Sequence, residues 1–137
     1  MNKILSLLGL AKKAGKVVVT SMGDYAASGG YYISCNSNYI IAQPNTLTGS
    51  IGVFGMVPSF QRALKNKLGV TIDGVTTNKH SDAGGALRPL NAEELEVYQN
   101  FIDEFYGIFT QRVADGRGME QSAVDEIGQG RVWAGAD

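Results

Sequence analysis

Val17-Val18-Val19-Thr20-Ser21-Met22-Gly23-Asp24-Tyr25-Ala26-Ala27-Ser28-Gly29-Gly30-Tyr31-Tyr32-Ile33-Ser34-Cys35 is the stretch that decides the fold. It opens on a β-branched run that is continuously apolar, the pattern of a strand buried on both faces of a parallel sheet. The small residues 22–30 read as a turn into a short helix starting near Ala26 or Ser28. Residues 39–42 repeat the buried-strand pattern and end at Pro44-Asn45. Ile51, Val53 and Phe54 suggest a third, glycine-interrupted strand, and residues 70–77 a fourth.

Helical patterns lie between and around these runs. Ile4, Leu7, Leu8 and Ala11 recur at helical spacing, so residues 2–14 read as an amphipathic helix stopped by Gly15. Ser59 is a candidate N-cap for a helix through Leu64 and Leu68, closed by Gly69. The longest helix follows a polar loop over residues 78–89. Asn91 is its N-cap, Glu94 completes a capping box, and Leu90 can staple to Leu95. Leu95, Tyr98, Ile102, Phe105 and Phe109 form its apolar stripe, and Asp115-Gly116 its end. A shorter helix is expected near residues 119–127, followed by a new element at Val132-Trp133. Strands alternating with helices predict an α/β fold with mostly parallel pairing.

Composition narrows the function. The chain has 137 residues, a length that suits one domain, with 44% hydrophobic and 18% charged residues. Glycine is in excess, 18 residues against three prolines, without the period of collagen. The single Cys35 and single His80 argue against disulfide frameworks and Cys- or His-rich metal sites. No metal or cofactor is implied. No apolar run reaches the roughly 18 residues of a membrane span. A secretory leader is not expected either, because lysines follow the apolar residues 4–11 at once and no cleavage motif appears.

The net charge of −1 hides an asymmetry. Residues 1–16 hold Lys3, Lys12, Lys13 and Lys16 and no acid, a charge of +4 on a body of −5. A solvated helix face is one reading, and a basic arm for nucleic acid or membrane the other. An acidic body repels phosphates, so a nucleic-acid partner is not expected.

Several motifs carry nothing. Gly9 to Gly15-Lys16 has the wrong spacing for a phosphate loop, and Val17 replaces its Ser/Thr. Glu93, Glu94 and Glu96 sit in the first turns of a helix, where the dipole accounts for them. Ser28 is the interesting residue. It follows a strand by a short turn, and Ala26, Ala27, Gly29 and Gly30 leave it open to a substrate carbonyl. A helix start supplies N–H groups for an oxyanion, the Gly29 amide first among them. The alternative is a small-residue cluster that lets a helix pack closely on the sheet.

Residues 21–34 closely resemble the nucleophile segment of the signal peptide peptidase A (protease IV) family. Thr46-Leu47-Thr48-Gly49-Ser50-Ile51-Gly52-Val53-Phe54-Gly55 resembles its second signature. Lys67-Leu68-Gly69-Val70, Arg88-Pro89-Leu90, Gly116-Arg117-Gly118-Met119 and Gly128-Gln129-Gly130-Arg131-Val132-Trp133 continue it in order, over residues 17–137. The resemblance implies a ClpP/crotonase-like fold of repeated ββα units, here truncated at both ends. It implies a serine endopeptidase with a Ser/Lys dyad that degrades cleaved signal peptides at the bacterial inner membrane, on the periplasmic side. Ser28 then matches the nucleophile, Gly29 the oxyanion amide, and Ser50 a serine that orients the lysine. A lysine is a base only when neutral, so an apolar cleft must lower its pKa by burial.

The base itself is displaced. In single-domain members the lysine position corresponds to Ser81; Lys79, two residues away, is a candidate, with His80 beside it. Double-length members carry the lysine in their first half, and this chain resembles the second half. The lysine is therefore expected from a further segment or a lysine-bearing half-domain, and little hydrolysis from the chain alone. Residues 1–16 instead resemble the opening helix of small bacterial L7Ae-like RNA-binding proteins, so they read as a basic amphipathic helix foreign to residues 17–137, a partial peptidase domain. The rival reading is a non-catalytic, oligomerising crotonase-like module. The expected partner is a second copy in a homo-oligomer or a lysine-bearing half-domain.

Overall fold

A computed structural model describes residues 2–137. In chain order it contains α1 (Asn2–Lys13), β1 (Val19–Ser21), β2 (Tyr25–Ala27), α2 (Gly29–Ser34), β3 (Tyr39–Ile41), β4 (Leu47–Gly49), α3 (Gln61–Leu68), α4 (Ala92–Arg117), α5 (Gln121–Ile127) and β5 (Val132–Ala134). The chain divides into two compact units. One runs to Val53 and resumes at Glu104–Asp137; the other is Phe54–Asp103. The mixture of helices and mainly parallel strands is an α/β arrangement.

In the first unit, β1 pairs with β3 and β2 with β4, both parallel, while β5 runs antiparallel to β4. Side chains reinforce the pairing. The Thr48 hydroxyl donates to the Ala26 carbonyl at 3.0 Å, and the Leu47 N–H to the Asp24 carbonyl at 2.8 Å. These bonds make residues 25–27 a strand where small residues alone suggest a turn. The strand expected at Ile51, Val53 and Phe54 lies instead at Leu47–Gly49, as β4. Gly49 and Ser50 both have positive φ, which ends the extended run before Ile51. The expectation that the first two strands are buried on both faces also fails: Val19 is 52% and Ile41 54% exposed. β1 and β3 form a sheet of only two strands, which leaves these alternate side chains uncovered.

The core gathers Leu5 of α1, Tyr32 and Cys35 at α2, Ile51, Phe109, Val113 and Ala114 of α4, and Val124 of α5. Tyr32 meets Phe109 edge to face at 5.1 Å. Gly116 belongs to this contact and is not a stop signal. A Cβ there would lie 2.5 Å from the Cys35 carbonyl oxygen, so α4 passes close to the end of α2. The helix continues to Arg117, and Gly118 (φ +65°) terminates it with a Met119 N–H to Ala114 carbonyl bond of 3.0 Å. α1 ends in the same way at Gly15, as its pattern predicts, and the Lys12 ammonium donates to the Asn36 carbonyl.

The second unit is built differently. Residues 70–77, expected as a strand, have no regular structure and are exposed throughout. A strand needs a neighbour for its N–H and C=O groups, and no strand lies in Phe54–Asp103 to provide one. α3 is capped by Phe60 without a side-chain bond, not by Ser59, and closes at left-handed Gly69 as expected. The capping box of α4 forms as the sequence predicts: the Asn91 side chain accepts from the Glu94 N–H and the Glu94 carboxylate from the Asn91 N–H, both at 2.9 Å.

Candidate active site

Ser28 sits between the end of β2 and the first residue of α2, with φ 50° and ψ −114°. Only glycine adopts that conformation at little cost; for serine it is strained by about 1–3 kcal/mol. Two backbone bonds hold it there. The Ser28 N–H donates to the Gly49 carbonyl at 2.9 Å, and the Ser28 carbonyl accepts from the Tyr32 N–H at 2.8 Å, opening α2. The sharp strand-to-helix turn leaves the residue exposed, a geometry that presents a nucleophilic side chain to substrate. Its own N–H is taken by Gly49, and the next amide, that of Gly29, begins α2, where the first helical N–H groups have no intrahelical acceptor.

Ser50 comes beside it through the sheet. β2 and β4 are parallel with Ala27 opposite Gly49, so Ser28 and Ser50 each follow the C-terminal end of one of two paired strands. Ligand sites of α/β sheets lie at such ends. Ser50 is itself left-handed, φ 48°, and its N–H donates to the Arg131 carbonyl at 2.7 Å. Gly49 leaves no room for a side chain: a Cβ would lie 2.5 Å from Cδ1 of Trp133. Gly52 is equally tight, its Cβ position 2.5 Å from the Cα of Gly130. The strand end that carries Ser50 is thus pressed against residues 130–133.

Cys35 offers no rival nucleophile. It is fully buried, its thiol donates to the Tyr32 carbonyl at 3.2 Å, and burial pushes its pKa up. The thiolate is therefore disfavoured.

Lys79 and His80 belong to a charge cluster in the second unit. The Lys79 ammonium is paired with the Glu93 carboxylate and is exposed. His80 lies 3.0 Å from Glu94 through Nδ1 and 3.4 Å from Glu93 through Nε2. Arg88 closes the cluster, donating to both oxygens of Asp82 (2.8 and 2.7 Å), both of Glu94 (2.7 Å each) and the Pro89 carbonyl. The Arg88 bond, the Asn91 N–H and His80 hold the Glu94 carboxyl far below the usual carboxylate range. Asp82 is lowered mainly by Arg88, and Glu93 mainly by Lys79. Ser81, the position matched to a family lysine, lies in the same loop, its hydroxyl donating to the Asn78 carbonyl at 3.2 Å.

The sequence did not single out Gln129, Arg131 or Trp133 as support for the site. Their one local signal is Gly128-Gln129-Gly130, two glycines around a residue that proves left-handed (φ 55°).

Comparison with known proteins gives the family. The sequence profile described as Peptidase family S49 matches residues 10–137. Protease 4 of Haemophilus influenzae is 45% identical over 126 residues, 92% of this chain and 20% of that protein. Protease 4 of Salmonella typhi is 45% identical over 130 residues, 95% of this chain and 21% of that protein. The chloroplastic serine protease SPPA of Arabidopsis thaliana is 40% identical over 124 residues, 89% of this chain and 18% of that protein. The chain spans about a fifth of the length of these relatives.

Proposed function

The chain belongs to peptidase family S49, and on that premise we propose that it is the nucleophile-bearing part of a serine endopeptidase of the signal-peptide-degrading type. The observation that carries this is Ser28, a strained, exposed serine at a strand-to-helix turn, hydrogen-bonded to the strand that leads into Ser50. Ser28 attacks the scissile carbonyl, and the Gly29 amide meets the oxyanion. Such a donor is worth about 10²–10³ in rate. Ser50 orients the amine of a catalytic lysine. That lysine comes from a lysine-bearing half-domain or partner copy rather than from Lys79, whose ammonium is exposed and bound to Glu93.

The pairing of β1 with β3 and of β2 with β4 supports a repeat of two ββ(α) units in the ClpP/crotonase manner. Residues 10–16 fall within the family match, and Leu5 packs in the core. Both favour α1 as part of the peptidase fold. Its place of work is the bacterial inner membrane, on the periplasmic side; no helix among the described residues is long and apolar enough to cross a membrane. Substrates are cleaved signal peptides. The uncovered apolar side chains of the second unit, Phe54, Met56 and Val75 among them, suit such peptides or assembly into a homo-oligomer.

A fluorophosphonate probe tests the reading. With a lysine-bearing half of a family member supplied in trans, Ser28 should be acylated and Ser28→Ala should not. Assembly of the two without any labelling of Ser28 would leave the non-catalytic module as the better account.

A further inference from the structure

Among the described residues, three that are not glycine have positive φ: Ser28, Ser50 and Gln129. They are joined in series. The Ser28 N–H donates to Gly49, next to Ser50; the Ser50 N–H donates to the Arg131 carbonyl (2.7 Å); and the Gly130 N–H returns to the Ile51 carbonyl (2.9 Å). The far end of the series is fixed by a side chain. The Gln129 N–H donates at 3.0 Å to the hydroxyl of Tyr106, which itself donates to the Asp125 carboxylate.

Strained backbone persists only where its surroundings over-determine it. The segment 128–131 holds Ser50, and that segment is itself held at one side by the Ile51 carbonyl and at the other by Tyr106 on α4 with Asp125 on α5. Resting on the peptidase reading, we propose that Tyr106 is a positioning residue: the Asp125–Tyr106–Gln129 hydrogen bonds hold the 128–131 segment so that Ser50 keeps its left-handed conformation beside Ser28. Tyr106 touches no reacting atom in this scheme. It acts through Gln129, Gly130 and Arg131 on the backbone of Ser50, and Ser50 acts on the lysine.

The local packing leaves the segment few alternatives. A Cβ at Gly128 would lie 3.1 Å from the Tyr106 hydroxyl and 3.3 Å from the Ile51 carbonyl oxygen, so hydroxyl, loop and strand end meet at one point. Burial and the Asp125 bond both raise the Tyr106 pKa, so the hydroxyl keeps the proton it donates. A phenylalanine retains the ring and loses both bonds.

The test compares Tyr106→Phe, Asp125→Ala and Asp125→Asn by amide exchange and by Ser28 acylation. In Tyr106→Phe and Asp125→Ala the amides of Gln129, Gly130 and Ser50 should exchange about tenfold faster, the loss expected for one net hydrogen bond. The Met22 amide, bonded to Ile41 in the other sheet, should not change. With the lysine-bearing half present, acylation of Ser28 should slow by a similar factor. On an ester substrate kcat should fall with KM little changed, a split that general loosening of the fold does not produce. Asp125→Asn keeps an acceptor for the Tyr106 hydroxyl and should restore both readouts. The inference is overturned if Ser50 exchanges at the wild-type rate in Tyr106→Phe and Asp125→Ala, or if every amide speeds up alike. Should the wild-type protein never label at Ser28, the peptidase reading fails by itself, and Ser50 exchange still decides the role of Tyr106.

Discussion

The two units of this chain are held by different forces. In the first, Cys35, Val113 and Val124 are at or near complete burial, and the rings of Tyr32 and Phe109 meet edge to face in the same core. In the second, the only buried residue among Phe54–Asp103 is a carboxylate, Glu94, gripped by Arg88. Dispersion and tight glycine contacts have no give, so the packed unit can store backbone strain at Ser28 and Ser50. Beyond the buried Glu94, the ion pairs of the second unit lie at the surface, where they contribute little and are screened by salt. The second unit therefore keeps a loop on a helix while leaving Phe54, Met56 and Val75 uncovered, as a segment that adapts to a partner or peptide should.

The largest expected effect separates chemistry from packing in the first unit. With the lysine-bearing half present, Ser28→Ala should reduce acylation and hydrolysis to background, since a nucleophile has no substitute, while stability stays within about 1 kcal/mol. A variant that still labels would remove Ser28 from the mechanism. Next comes Gly49→Ala. Its methyl would lie 2.5 Å from the Trp133 ring at a φ of +69°, and overpacking with strain should cost about 1–3 kcal/mol. A urea midpoint at the wild-type value would show that the strand ends are looser than the contrast between the units requires.

Legibility in the sequence follows the same division. Local signals were read correctly where a local bond decides the outcome: Gly15 and Gly69 as helix stops, and Asn91 with Glu94 as a capping box. Strand runs were legible only where a partner exists. Residues 39–41 pair with β1, whereas residues 70–77, just as β-branched, have no neighbour and stay irregular. Gly116 looked like a stop because a close helix contact and a helix end call for the same residue. Of the candidate residues, Ser28 and Gly29 were legible from small neighbours and a helix start, and Ser50 from resemblance alone. Gln129 and Tyr106 were not, because hydrogen bonds between residues 23 apart leave no periodic trace.

The second unit can be broken by acid. Glu94, Asp82 and Glu93 have folded pKa values below those of free carboxylates, each because of a basic partner. Their contribution is complete above the unfolded carboxylate range, near about pH 4.3, and is lost as pH falls below it toward their folded values. Amides of residues 78–95 should therefore lose protection on acidification before those of residues 19–41. Arg88→Met should bring the wild-type loop to that state already at neutral pH and flatten its acid dependence. If the loop stays protected in Arg88→Met, something other than charge holds this unit. Added salt should weaken the wild-type loop in the same direction, by less.

The smallest expected effect is that of Lys79→Ala. A lysine that serves as base must shed its proton, and it does so in buried, apolar surroundings. Lys79 has the reverse: its side chain is 69% exposed and its ammonium rests on Glu93. Removing it should leave Ser28 acylation within about twofold and barely loosen the Glu93 end of the cluster, because an exposed pair is screened by solvent. The opposite result is equally informative. If the chain alone hydrolyses peptide esters briskly and Lys79→Ala abolishes it, the base lies in the charged unit after all. Glu93 would then have to release the amine when substrate binds, and the division between a unit that carries chemistry and one that carries charge would fail.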